Sequence, residues 1–311
     1  MSSESDKENR SEETGQKRRG SALVYPPKKC PLKTDPMVHR GRHFGRTVSA
    51  IITVKTLVSE GIARHLRLHK EEIALSDLVP QEQREHQVFT LLLEAVPDLL
   101  ERMGESLEAG MHICSMLQKG INSACCDDTK GLKGAMIDWL IKPGEPCSPP
   151  LFRNSKVERG YNHELTGCLL CPAGWDWDDP EIKGGLRSGA TVVTGEDWPM
   201  FLYEDGQYEE EEPWKGLFRG DLLVKGYKFI FTSPSSVDFI EPKATRGGNA
   251  SIHGMTEVTL ASIAYVATQV VTFELPSVFY MDAYACGFFS LGVIHSVFPE
   301  HILSNQLHNG D

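Results

Sequence analysis

QEQREHQVFTLLLEAV, residues 81–96, follows Pro80 and sets Val88, Leu91, Leu92 and Ala95 on one side of a 3.6-residue period. A proline suits the first turn of a helix, where no amide hydrogen is needed, so Pro80 predicts the start of this one. The pattern extends in both directions. Upstream, VSAIITVKTLVSEGIARHLRLH (48–69) spaces Val48, Ile51, Ile52, Leu57 and Val58 as a helix face would. Downstream, DLLERM (98–103) follows Pro97 as a short helix. EAGMHICSMLQKGI (108–121) then presents Met111, Cys114, Met116, Leu117 and Ile121. Asp127 or Asp128 reads as the N-cap of a separate helix, TKGLKGAMIDWLI (129–141), because a carboxylate favours the positive end of the dipole. These segments predict a mainly α fold.

KPGEPCSPP (142–150) ends that half as a Pro-rich linker or crossing segment. In the half that follows, Asp179-Pro180-Glu181 starts a short helix that Gly189 closes. ATVV (190–193) and WPMFLY (198–203) read as short extended pieces. Glu212-Pro213 opens a long helix, PWKGLFRGDLLVKGYKFIF (213–231), with Trp214, Leu217, Phe218, Val224, Tyr227 and Phe231 as its apolar stripe. SPSS (233–236) ends it. ATRGGNASIHGM (244–255) is loop, and Thr259 caps a last helix, LASIAYVATQV (260–270). The expected organisation is a tail over residues 1–36 and one helical domain over 37–269. That domain has a helical half (37–142), a linker (143–150) and a Trp-rich half (151–269), and an atypical tail (270–311) follows it.

The net charge of -11 is concentrated in one place. Asp176–Glu212 holds twelve acids against two bases, whereas Met1–Asp35 holds eight bases against six acids. A surface carrying that acidic excess repels phosphates, which argues against general nucleic-acid binding by the folded part. Residues 1–36 have too few apolar side chains to offset ordering entropy and read as disordered. Within them Lys17-Arg18-Arg19 and Lys28-Lys29, followed by Lys33, resemble a two-part nuclear import signal. The first residues, MSSESDKENR, have no apolar run like that of a secretory signal, so the expected compartment is nucleus or cytoplasm, with thiols reduced.

No nucleophile elbow, phosphate loop, HExxH or dinucleotide fingerprint occurs in the sequence. Cys168-Leu-Leu-Cys171, with His163 five residues before it and Cys147 upstream, is the one constellation from which a zinc site could be drawn. A structural zinc site needs four converging ligands, commonly two paired spacings, and only one pair is present. Buried cysteines beside two leucines are the simpler reading, and no cofactor is expected. Acids of the Trp-rich half could form a carboxylate pair for glycoside chemistry, with Trp175, Trp177, Trp198 or Trp214 as a platform. Tryptophans this dense more often anchor a core. His39-Arg40-Gly-Arg42-His43-Phe-Gly-Arg46 is the basic cluster of interest. It reads either as an anion contact at a helix start, or as internal ion pairs in which Arg40, Arg42 and Arg46 neutralise the acidic loop Glu204–Glu212. The second reading is favoured. If those pairs do not form, the loop and its run Glu209, Glu210, Glu211, Glu212 become the place to seek a partner.

Several blocks in order, GRHFGRTV (41–48), CCDDTKGLK (125–133), RGYNHELTGCLLCPAGWDW (159–177), LRSG (186–189), WPMFLY, PWKGLFRGDLLVKGYKFIFTSPSS (213–236), ATRGGNASIHGMT (244–256) and AYVATQ (264–269), resemble a large family of uncharacterised basidiomycete fungal proteins with many copies per genome. The resemblance covers about Gly41–Gln269 and implies no activity. It implies a different ending after AYVATQ, so residues from Val270 onward are expected to be a retained intron or a frameshifted end. The alternative is an anchor in the uncharged run Ala283–Pro299, which is short and diluted for a span.

The functional expectation is a non-enzymatic interaction protein that meets a protein partner through its acidic face. A nucleic-acid-associated protein of mobile-element context, working through the basic tail, is the second. A hydrolase with a carboxylate site in the Trp-rich segment is the third.

Overall fold

Asp35 and Pro36 open the first helix of the computed structural model, which describes residues 35–70, 73–141, 144, 147–153, 155, 158–237 and 248–274. The expected disordered tail and its import-like clusters, apart from residues 35 and 36, lie outside the described residues. So do residues 275–311, including the uncharged run, and four residues of the Pro-rich linker (142, 143, 145, 146).

Helix α1 (Pro36–Thr47) begins with the Asp35 carboxylate accepting from the Met37 amide at 2.8 Å. Helix α2 (Val54–Lys70) is started from a distance, because the Gln118 side chain accepts from the Val54 amide at 2.9 Å. Helices α3 (Pro80–Ala95) and α4 (Leu99–Glu105) follow, α3 with proline in its first turn as its sequence predicts. Helix α5 (Leu107–Leu140) then runs 34 residues from the Ser106 cap. At 1.5 Å per residue it spans roughly 50 Å. The second half comprises α6 (Glu164–Leu170), α7 (Pro180–Ser188), α8 (Asp221–Tyr227), α9 (Asn249–His253) and α10 (Leu260–Glu274). The fold is mainly α. Among the described residues no strand forms, only isolated bridges between Pro172 and Pro199 and between Tyr203 and Leu217. No helix there is long and apolar enough to cross a membrane.

Helix α5 carries both apolar cores. Its N-terminal half packs Ile113, Leu117 and Ile121 with Phe44 of α1, Leu57 of α2 and Phe89 and Leu92 of α3. Its C-terminal half packs Leu132, Met136 and Ile137 with Leu223 of α8, Val266 and Val270 of α10, and Trp177. Between them lies a polar layer. Asp128 receives both Nε and Nη2 of Arg46 at 2.8 Å and the Tyr265 hydroxyl at 2.7 Å. Beside it, Thr129 donates to Gln269 at 2.5 Å. The division between the cores therefore falls within α5, upstream of the Pro-rich segment.

Helix α1 crosses α5 at backbone distance. A Cβ on Gly41 would meet the carbonyl oxygen of Leu117, one on Gly120 that of Val38, and one on Gly45 would lie 3.2 Å from the Ile121 Cα. Five sequence expectations change. Within ATRGGNASIHGM, read as loop, Asn249–His253 forms helix α9, which Gly254 ends at φ 68°. Asp127 and Asp128 do not cap a new helix; they sit inside α5, and Asp128 is committed to Arg46 and Tyr265 rather than to its own backbone. Residues 48–53 connect two helices, which leaves Ile51 58% exposed. Residues 213–220 are not helical, because Gly216 and Phe218 adopt φ of 70° and 63° and Gly220 lies against the Phe201 carbonyl; the helix starts only at Asp221. ATVV and WPMFLY form no strand, the latter turning as a 3-10 segment at Met200–Leu202. The cap at Gly189 (φ 75°) and the reciprocal Thr259–Ser262 bonds at the start of α10 match their sequence signals.

Candidate functional site

The basic cluster lies on α1 and faces α5 and α9. Arg42 pairs with Asp127 at 2.8 Å, and Arg46, 3% exposed, makes the two-pronged bond to Asp128. The arginines thus form internal ion pairs, but with carboxylates of α5 rather than with the acidic loop. The helical register explains this: Arg42 and Arg46 are four apart and meet the consecutive Asp127 and Asp128 where α1 crosses α5. Arg40, half-buried, has no hydrogen-bond partner for its Nη1.

On the neighbouring turn of α1, His43 stacks on His253 of α9 with ring centroids 4.7 Å apart. Burial, then the neighbouring His43, Arg46, His39 and Arg42, pushes the His253 imidazole down to about 4 from its ordinary 6.5. Burial and Arg46 push His43 down as well. Between pH 6.5 and 4 the unfolded chain therefore binds protons that the folded chain does not, so acidification across that window favours unfolding. Discounted for the partial exposure of the ring, the effect of His253 is on the order of 1–2 kcal/mol. Urea unfolding at pH 7.5 and pH 5 should show this loss, and His253→Gln should reduce it. An equal loss in the variant would remove His253 as its source.

The residues considered for zinc do not converge. His163 caps α6, its Nδ1 accepting from the Leu165 amide at 3.1 Å, while its Nε2 lies 2.8 Å from the Pro149 carbonyl oxygen. Cys147 is 3.6 Å from that same nitrogen, Cys171 is buried in the second core, and Cys168 is exposed on α6. Among the described residues no three His, Cys, Asp or Glu side chains are grouped to hold a metal ion.

In the Trp-rich half, Trp177 is buried, donates to Glu164 at 3.1 Å, and has Lys183 5.0 Å from its ring centroid. Glu164 also takes bonds from Lys183 and Arg187, which hold its carboxyl down at about 2. Trp198 stacks on Phe218 and meets Trp214 edge-on. Trp175 differs, being half-buried in the wall of an open cleft of about 540 Å³ with Met200 and Tyr208. Asp176 and Glu209 also line it. In the loop beyond, Glu209 and Glu212 share Lys215 at 2.6 and 3.8 Å, while exposed Glu210 and Glu211 make no ion pair among the described residues. Sequence reasoning missed this aromatic cleft, because Trp175 and Tyr208 come together only through the turns at Met200–Leu202 and Glu204–Gly206.

No curated protein matches the chain, and no solved structure does. The profile of a family of unknown function (DUF6698) matches residues 119–277, which run from the middle of α5 through the polar layer, the Trp-rich half and all of α10. With half of its length under that profile, the chain belongs to the DUF6698 family of unknown function.

Proposed function

We propose that this protein is a non-enzymatic binding protein that engages a lysine- or arginine-rich protein partner through the acidic face of its Trp-rich half. The observation that carries the reading is the cleft of Trp175 and Tyr208, which Asp176 and Glu209 also line, with exposed Glu210 and Glu211 next in the chain. Aromatic faces attract cations and accept the alkyl stems of Lys and Arg, and unpaired carboxylates supply the charge. The twelve acids of Asp176–Glu212 extend that attraction over a wider surface.

Nothing comparable supports the alternatives. Arg42 and Arg46 are bonded to aspartates, which leaves less positive charge for phosphates. Glu164, held near 2, stays ionised at neutral pH and is a poor proton donor for glycoside hydrolysis. A fungal source with many related copies, and work in the nucleus or cytoplasm, belong to the same reading on the sequence blocks and the six free cysteines of the described residues.

The test is fluorescence anisotropy with a labelled lysine-rich peptide at low and physiological salt. Saturable binding that weakens with salt, and that falls at least tenfold in Glu210→Lys/Glu211→Lys and in Trp175→Ala, supports the reading. An absence of binding, or binding untouched by these changes, removes it.

A further inference from the structure

Trp175, Tyr208 and the thioether of Met200 line one open cleft, and local geometry holds both rings in place. Gly174 has a φ of 86°, and a Cβ there would lie 3.1 Å from the Tyr208 ring, so the glycine lets that ring reach the backbone beside Trp175. Buried Tyr203 meets Tyr208 edge-on, with centroids 5.4 Å apart, and braces it from the core side. Trp175 packs at the edge of the second core. Both rings are half-buried, so each keeps part of its surface open. Lys183 and Arg187 lie over Trp177 instead, and among the described residues no cation of the chain covers Trp175 or Tyr208.

The two carboxylates at the cleft differ. Glu209 is paired with Lys215 at 2.6 Å. Asp176 accepts from the Asp178 amide at 2.9 Å through Oδ1, which orients it, and it makes no ion pair among the described residues. An oriented, unpaired carboxylate therefore stands beside two aromatic faces that no cation of the chain occupies.

Resting on the reading of the acidic face given above, we propose that this cleft takes the methylated ammonium of a mono- or dimethyl-lysine in the partner. The methyl groups lie against Trp175 and Tyr208, and the remaining N–H bonds Asp176. Each methyl replaces an N–H and weakens the hydration of the ammonium without removing its charge, so the cation leaves water more readily for an aromatic face. An unmodified lysine keeps its full hydration, which half-open rings do not offset. A trimethyl-lysine has no N–H left, and it loses the charge-assisted bond to Asp176. Dimethyl-lysine has both features, apolar surface for the rings and one donor for the carboxylate.

The experiment uses the full chain and one labelled lysine-rich peptide in four forms, with a single lysine unmodified, mono-, di- or trimethylated, read by fluorescence anisotropy. The dimethyl form is expected to bind about fivefold or more tighter than the unmodified form, and about threefold tighter than the trimethyl form. Asp176→Asn keeps an acceptor for the Asp178 amide, so the turn survives, and it should erase the preference for dimethyl over trimethyl. Trp175→Leu keeps an apolar group against the second core and should erase the preference for methylation, whereas Trp175→Phe, which keeps a ring, should retain it. Far-UV spectra check that each variant is folded. Four forms binding with equal, salt-sensitive affinity overturn this inference and leave the acidic-face reading standing, while binding by none removes both. A trimethyl form that binds tighter than the dimethyl form, or preferences unchanged in Asp176→Asn or Trp175→Leu, also overturn it.

Discussion

Asp128→Ala should destabilise the fold by about 3–5 kcal/mol, the range for stranding one member of a buried ion pair. Arg46 is 3% exposed and draws two of its hydrogen bonds from that carboxylate, so the truncation leaves a desolvated guanidinium with no counter-charge. The Tyr265 hydroxyl loses its acceptor at the same time. Burial, the largest cause of that hydroxyl's raised pKa, persists without the carboxylate, so it does not compensate by ionising. Most of the loss is a penalty of imbalance rather than the net worth of the pair. The triple change Arg46→Met, Asp128→Leu, Tyr265→Phe removes all three polar groups together and should recover most of the stability. Urea unfolding followed by tryptophan fluorescence compares the three proteins. A loss below about 1 kcal/mol for Asp128→Ala would show that water reaches Arg46 and that the layer is not dry.

The same residues mark how far the sequence could be read. Pro80, Asp179-Pro180 and Thr259 announce their helices because capping and first-turn chemistry are local, and the structure places helix starts at each. Asp127 and Asp128 carry the same local signal and yet lie within α5, since their partners are about 80 residues away on α1 and a pair preference cannot reveal which pair forms. The start of α2 is equally illegible, as its cap is the Gln118 side chain of another helix. In WKGLFRG the apolar spacing suits a helix, but the left-handed residues Gly216 and Phe218 are imposed by packing against the 200–206 turns. The acidic face was legible as composition. The aromatic cleft within it was not, because it is assembled from segments that only the tertiary fold brings together. A signal for α1 was present and unused: Asp35-Pro36 is a cap followed by a first-turn proline, and Gly41 and Gly45 recur on one helix face.

That glycine face supports the second large effect. Gly120→Ala would raise helix stability by up to about 1 kcal/mol at an exposed interior site, and Gly184→Ala in α7, where a methyl meets nothing within 4 Å, should do so. At Gly120 the added Cβ instead meets the Val38 carbonyl and lies 2.9 Å from the Gly41 Cα, both of them backbone, which cannot rotate aside. The expected result there is a net loss of roughly 1–3 kcal/mol, and Gly120→Leu should separate α1 from α5 altogether. Hydrogen exchange localises the change: amides of α1 should lose protection in Gly120→Leu while those of α8 and α10 keep theirs. Separation of α1 also carries Arg46 into water and away from Asp128. The cost of Asp128→Ala should therefore shrink in the Gly120→Leu background, giving a coupling energy well above the few tenths of a kcal/mol seen for independent sites. Additive effects would mean that the Arg46–Asp128 pair survives without the glycine crossing, and that α1 is held to the fold chiefly by its polar end.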